Sequence, residues 1–230
     1  MDQQTGGTVA EAASTSATDA VVAPKDPRAA DRRMQILRAA MRVFARQGFH
    51  GSRIDDVVVE AGLSKGAIYW YYKSKEQIAV ALVEYMLAMG ASAPETSEGE
   101  PLAEQIDGRI RQFTALLVAE PELAPLALEL LTLAQRITDI RSLFQDYHDR
   151  LAEEIAQILQ QAITTGELQA TLDSKAAART LLSLVDGIVM HWVLYAERQD
   201  LGHIMHRSIH QVLDGWRSTP AGRPRKRPRT

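Results

Sequence analysis

SRIDDVVVEAGLSKGAIYWYYKSK, residues 52–75, reads as a helix, a sharp turn and a second helix. Ile54, Val57, Val58 and Ala61 recur at helical spacing and give the first helix one apolar stripe. Gly62 follows, where a helix end needs a residue that accepts positive φ. Leu63 plugs the turn, and Ser64 is a good N-cap for what comes next. Ile68 and Tyr72, four apart, form the buried stripe of the second helix. Its other face carries Lys65, Gly66, Tyr69 and Trp70. Two helices joined by a turn of about three to four residues make the helix-turn-helix pattern.

Upstream, residues 31–48 predict a third amphipathic helix. Ile36, Leu37, Ala40, Val43 and Phe44 line its inner face, and Arg32, Arg33, Arg38, Arg42 and Arg46 its outer one. Gly48 is the expected terminator, with Phe49 as a hydrophobic lock. Three such helices around one apolar centre predict a small DNA-binding unit. Lys65 and the N–H groups of the second helix's first turn suit a phosphate. Gly66 lets a partner approach the backbone, Tyr69 offers a long-reaching hydroxyl, and Lys73 and Lys75 add charge just beyond.

Residues 36–82 resemble the TetR family of bacterial transcriptional regulators. The resemblance rests on Ala40, Phe44, Gly48, Phe49, Ser52, Ile54, Asp56, Val57, the run Ala61-Gly62-Leu63-Ser64-Lys65-Gly66, Ile68, Tyr69, Tyr72, Lys75, Glu76 and Ile78. It implies phosphate contacts at Ser52, Tyr69 and Lys75, and contacts to base edges or nearby backbone at Lys65, Ala67 and Trp70. The whole expected DNA-contact set is Ser52, Arg53, Ser64, Lys65, Gly66, Ala67, Tyr69, Trp70, Lys73 and Lys75. The chain departs from the family pattern at three places. Trp70 stands where the family often has His or another polar residue, Tyr72 where Phe is usual, and Val58 where Ala is common.

Charge divides along the chain in the same way. Residues 28–75 hold ten Lys and Arg against four Asp and Glu. Residues 76–216 hold nine against twenty-one, and 217–230 hold six basic residues and no acid. A basic head on an acidic body is the footprint of a nucleic-acid reader with a separate second domain. The 230 residues have an ordinary apolar share of 46% and no cysteine, which excludes disulfides, zinc fingers and thiol chemistry. With no apolar run of about 18 residues and no signal-peptide pattern, the sequence predicts a cytoplasmic protein with no membrane association.

The expected fold class is all-α, an N-terminal three-helix helix-turn-helix domain followed by a C-terminal helical ligand-binding and dimerisation domain. The expected divisions are a disordered arm at 1–27, the DNA-binding domain at 28–75, the helical domain at 76–217 and a basic tail at 218–230. A linking helix is predicted over 75–89, with Ile78, Leu82, Tyr85 and Met86 on one face, then a Gly/Pro/Ser/Glu loop over 90–101. Further helices are predicted over 102–119, 121–136, 140–165, 174–198 and 201–217, with Pro121 as a first-turn residue. In the family the last two helices commonly build the dimer. Here Leu181, Leu184, Val185, Ile188 and Trp192 give the first of them a broad apolar face, with Gly187 in its middle.

A ligand cavity needs apolar walls and a few inward polar groups. Phe113, Leu117, Leu130, Phe144, Tyr147, Leu151 and Trp192 are the candidate walls, and His148, Asp186 and His191 the candidate polar handles. The plainer alternative is that the aromatics are ordinary core. His203, His206 and His210 share a helical face, but no Cys and no carboxylate on that face completes a metal site, so no metal or cofactor is expected. Nothing resembles a catalytic motif, so the chain is not expected to be an enzyme. The expectation is a homodimeric repressor, released from a near-palindromic DNA operator by a small apolar or amphipathic effector. The alternative is a structural DNA-binding protein of the same fold that recruits a protein partner without an effector.

Overall fold

The computed structural model describes residues 27–91, 99–195 and 200–218. Almost all of the expected arm, most of the 90–101 loop, Arg198 and the basic tail from residue 219 lie outside the described residues. The described residues form nine helices: α1 Pro27–Gly51, α2 Ile54–Ala61, α3 Lys65–Tyr71, α4 Lys75–Gly90, α5 Leu102–Ala119, α6 Leu123–Leu133, α7 Thr138–Thr164, α8 Ser174–Leu194 and α9 Leu201–Trp216. One isolated bridge, Leu168 with Arg217, ties the end of α9 to the α7–α8 connection.

The helix ends follow from local chemistry. Gly62 closes α2 at φ 64 in the left-handed region, and Ser64 caps α3 by accepting the Ala67 N–H at 3.2 Å. Ser74 caps α4 through the Gln77 N–H, and Asp173 caps α8 through the Lys175 and Ala176 N–H groups. Several ends differ from expectation, among them the start of α1, at Pro27 rather than residue 31, and the end of α6, at Leu133 rather than residue 136. The first helix breaks at Gly48 (φ 73, ψ 158) but resumes helical turns to Gly51. The sixth begins at Leu123 rather than at Pro121, which is exposed in the preceding turn. Pro125 is the proline in that first turn, where a missing N–H costs nothing. At the other end Arg141 donates to the carbonyls of Ala134 and Gln135, satisfying the chain where α6 has stopped.

Ile36, Val43, Phe44, Val57 and Ile68 are buried in the head, and Leu126, Leu130, Ile140, Leu159 and Met205 in the body. The two centres belong to one continuous apolar cluster. α4 bridges them, packing on α1 at one end and on α5, α6 and α7 towards the other. α6 also packs on α1. There the Glu129 carboxylate accepts the backbone N–H of Phe49 in a short hydrogen bond, just after the Gly48 break. α8 has the length and mean hydropathy (1.3) of a membrane span, which the sequence reading did not anticipate, with 28% of that window buried. One side of it packs against α7 and α9, while Met190, Leu194 and Tyr195 are exposed.

Candidate functional site

Two regions concentrate chemistry. The first is the outer surface of α2 and α3. Arg42 and Arg46 of α1 both pair with Glu60 of α2, at 2.7 and 2.6 Å, and lock the two helices together. The hydrogen bonds from Arg42 and then Arg46 hold the Glu60 carboxyl below its usual range. Arg33 donates to the Tyr72 hydroxyl at 3.2 Å and reaches Glu84 of α4, so the end of α3 is tied to both neighbours. Against this frame α3 exposes Lys65, Gly66 and Trp70, the last 70% accessible. Tyr69 and Ala67 are half-buried beside them. Lys65 pairs with Asp55 at 2.7 Å, which raises its pKa. Both partners are exposed, so the pair is weak and a phosphate can exchange with the carboxylate. Arg53 and Lys73 are exposed as well. The Lys73 ammonium caps α3 through the Tyr69 carbonyl at 2.5 Å.

Two of the expected phosphate contacts are placed differently. Ser52 is 3% exposed, and its hydroxyl donates to the Phe49 carbonyl at 2.9 Å, sealing the turn rather than facing outward. Lys75 Nζ donates to the carbonyls of Phe49 (2.5 Å) and Ser52 (2.8 Å) and lies 4.4 Å from the Phe49 ring centroid. It fixes the α1–α2 turn and keeps one of its three N–H donors uncommitted by these bonds.

The second region is a cavity of about 180 Å³ in the body. Its walls come from the end of α4 and from α5, α7, α8 and α9. Of the expected set, Phe113, Tyr147, His148, Leu151 and Asp186 line it. Leu117, Leu130, Phe144, Trp192 and His191 do not: Leu117, Leu130 and Trp192 are buried in the surrounding core, Phe144 is half-buried against it, and His191 is exposed. The His148 ring places Nδ1 2.8 Å from the Phe144 carbonyl and Nε2 3.5 Å from the Asp186 carboxylate. An imidazolium satisfies both acceptors, and the Asp186 bond holds the His148 pKa above 6.5 although burial opposes it. Burial pushes the Tyr147 hydroxyl up. That hydroxyl lies against Gly90, only 2.8 Å from where a Cβ would sit.

Two lining features carried no sequence signal. Arg109 of α5 lines the cavity, pairs with Glu154 at 3.4 Å and keeps a buried Nε without an acceptor. Met89, Gly90 and Ala91, at the end of α4, form part of the wall.

Comparison with known proteins agrees with this two-part arrangement. The family model described as bacterial regulatory proteins of the tetR family matches residues 36–82. A second, described as the C-terminal part of BetI-type transcriptional repressors, matches residues 102–214. The chain is 28% identical over 184 residues to the fatty acid metabolism regulator protein of Bacillus subtilis, covering 79% of this chain and 94% of that protein. It is 27% identical over 207 residues to the HTH-type transcriptional regulator TtgR of Pseudomonas putida, covering 84% and 95%. Among solved structures, the regulator FadR from Bacillus subtilis in complex with stearoyl-CoA aligns with a TM-score of 0.65 at 27% identity, covering 78% of this chain and 96% of that one. A TetR regulator from Haloarcula marismortui aligns with a TM-score of 0.73 at 18% identity, covering 82% and 99%, a likeness of fold.

Proposed function

The chain belongs to the TetR family of bacterial regulatory proteins and is a DNA-binding transcriptional regulator rather than an enzyme, and from that premise we propose that it is a homodimeric repressor released from its operator by a small apolar or amphipathic effector. The observation that carries this reading is the course of α4. It starts at Lys75, whose ammonium holds the turn beneath the DNA-facing surface. It ends with Met89 and Gly90 in the cavity wall.

In this reading two copies pack through α8 and α9. Met190 and Leu194 lie exposed on α8, with Tyr195 exposed just after it, and a Cβ at Gly187 would meet nothing within 4 Å. The two copies of α3 enter successive major grooves about 34–36 Å apart. Lys65, Tyr69, Lys73, Lys75 and Arg53 hold phosphates, and Ala67, Gly66 and Trp70 face base edges. Trp70 reads a thymine methyl or the sugar edge, since its only polar atom is a donor. An effector entering the cavity pushes on Tyr147 and on the Met89–Gly90 end of α4. The helix then tilts the head through its contacts with α1 and changes the spacing of the two α3 helices. The effector must therefore prefer the state that cannot dock, and DNA must weaken the effector by the same factor.

The walls suit an acyl chain or aromatic skeleton. Arg109 Nε and His148 suit a polar or anionic head group. The relative solved with stearoyl-CoA supports that class of ligand. The rival reading, a structural DNA-binding protein without an effector, calls for a solid body, and the cavity disfavours it. Titration of stearoyl-CoA and of palmitate, with and without an operator selected from random duplexes, tests the reading. Tenfold or greater weakening by operator is expected for an inducing ligand, a coupling of about 1.4 kcal/mol. Binding with equal affinity in both titrations would refute regulation through this cavity.

A further inference from the structure

Outside both regions, three side chains converge on one point at the seam between α5 and α9. Asp107 Oδ1 lies 2.7 Å from His210 Nε2 and 3.3 Å from His206 Nε2. The two imidazoles are one helical turn apart, with ring centroids at 4.2 Å and planes tilted by 32°. All three ligand atoms lie within 4.8 Å of one another. The residues come from opposite sides of the sequence, yet each presents the atom a metal would bind. We propose that Asp107, His206 and His210 form a site for a borderline divalent cation, Zn²⁺ foremost, which staples α5 to α9.

The geometry carries this. Around a tetrahedral Zn²⁺, bonds of about 2.0–2.1 Å set neighbouring ligand atoms about 3.3 Å apart. The Asp107–His206 separation already has that value, and the Asp107–His210 separation needs to open by about 0.6 Å. Histidines at i and i+4 on one helical face are a recurrent metal-binding spacing, and a carboxylate from a facing helix completes a two-His, one-carboxylate set. The donor set is nitrogen and carboxylate oxygen, which suits Zn²⁺ or Co²⁺ better than Mg²⁺ or Ca²⁺. The site has an entry path, because His206 is half exposed, and a fourth position remains for water.

The position gives the cation a consequence. Asp107 is next in sequence to Ile106, His206 to Met205 and His210 to Ile209, and all three neighbours line the cavity. A bound cation therefore fixes the wall formed by α5 and α9 and draws the effector cavity into the same equilibrium. The cation site itself stands independently of any effector.

The test uses tag-free, chelator-stripped, full-length protein and Zn²⁺ alone. Calorimetry is expected to find one Zn²⁺ per chain, and saturating Zn²⁺ to raise the melting temperature. Co²⁺ is expected to give the visible absorption of a site with nitrogen and oxygen ligands. His206→Ala, His210→Ala and Asp107→Asn are each expected to weaken Zn²⁺ by at least about 10- to 100-fold, judged against the loss that even supporting residues cause. His50→Ala, in the head, is expected to leave it unchanged. Because His206 is half exposed, its replacement leaves the fold intact, and the melting curve without Zn²⁺ checks this. No stoichiometric binding by the wild type, or undiminished binding by the His206→Ala/His210→Ala double variant, would overturn the proposal.

Discussion

Lys75 serves two ends with one ammonium. Two of its N–H groups hold the Phe49 and Ser52 carbonyls, and the third is proposed to meet phosphate. Lys75→Ala is expected to weaken all duplex sequences alike and to make the salt dependence shallower by about one unit. An unchanged salt slope with lowered affinity would assign Lys75 to shaping the turn alone. His148 is the residue through which pH acts on the cavity. Its folded pKa lies above 6.5 because of Asp186, so its stabilisation is fully present below that value and is lost as pH rises through the folded pKa. Asp186→Asn is expected to lower the His148 titration midpoint, read from its ring protons by NMR. The melting temperature of the wild type should also fall relative to that variant as pH rises above 6.5. An identical midpoint in both proteins would mean that Asp186 does not set it.

At the scale of elements, α3 offers a clean separation of folding from recognition. Gly66 is exposed, and an added Cβ would meet no atom within 4 Å. Gly66→Ala is therefore expected to stabilise the head by roughly 0.5–1 kcal/mol, since alanine loses less entropy in a helix. If the partner's backbone approaches here, the same change lowers duplex affinity. Equal or tighter binding by the stabler variant would show that nothing comes close at Gly66. The head was legible in the sequence because its signals act over a few residues. Ser64, Gly62 and the stripe of Val57 and Ala61 each specify their own turn of helix. The seams were not legible. His210 meets Asp107 across 103 positions, and Glu129 meets Phe49 across 80. Those pairs are set by how α5 lies on α9 and α6 on α1, which helical periodicity does not encode. For the same reason the aromatic residues signalled a cavity but did not separate Tyr147, which lines it, from Trp192, which is buried in the core.

For the whole molecule, the apolar surface left on α8 asks for a second copy. Leu194 is 69% exposed, so Leu194→Asp leaves the fold of one chain undisturbed. Sedimentation at micromolar concentration is expected to find the wild type dimeric and this variant shifted towards monomer, with operator affinity reduced because two heads no longer bind as a unit. A wild-type monomer under those conditions would remove α8 as the dimer surface. By contrast, Val185 lines the cavity and Ile188 is buried, so a charge at either position would confuse folding with association.

The bond between Glu129 and the Phe49 N–H lies where head meets body. Glu129→Ala is expected to cost about 1–3 kcal/mol in urea unfolding by stranding that donor, and Glu129→Gln, which keeps an acceptor oxygen, to recover most of it. The Glu129 carboxylate also lies 3.1 Å from where a Gly48 Cβ would stand. The head is thus not an interchangeable cassette. A chimaera that grafts residues 27–90 onto another regulator's body carries the Gly48 break with it, and inherits its orientation only if the recipient supplies a carboxylate in the place of Glu129.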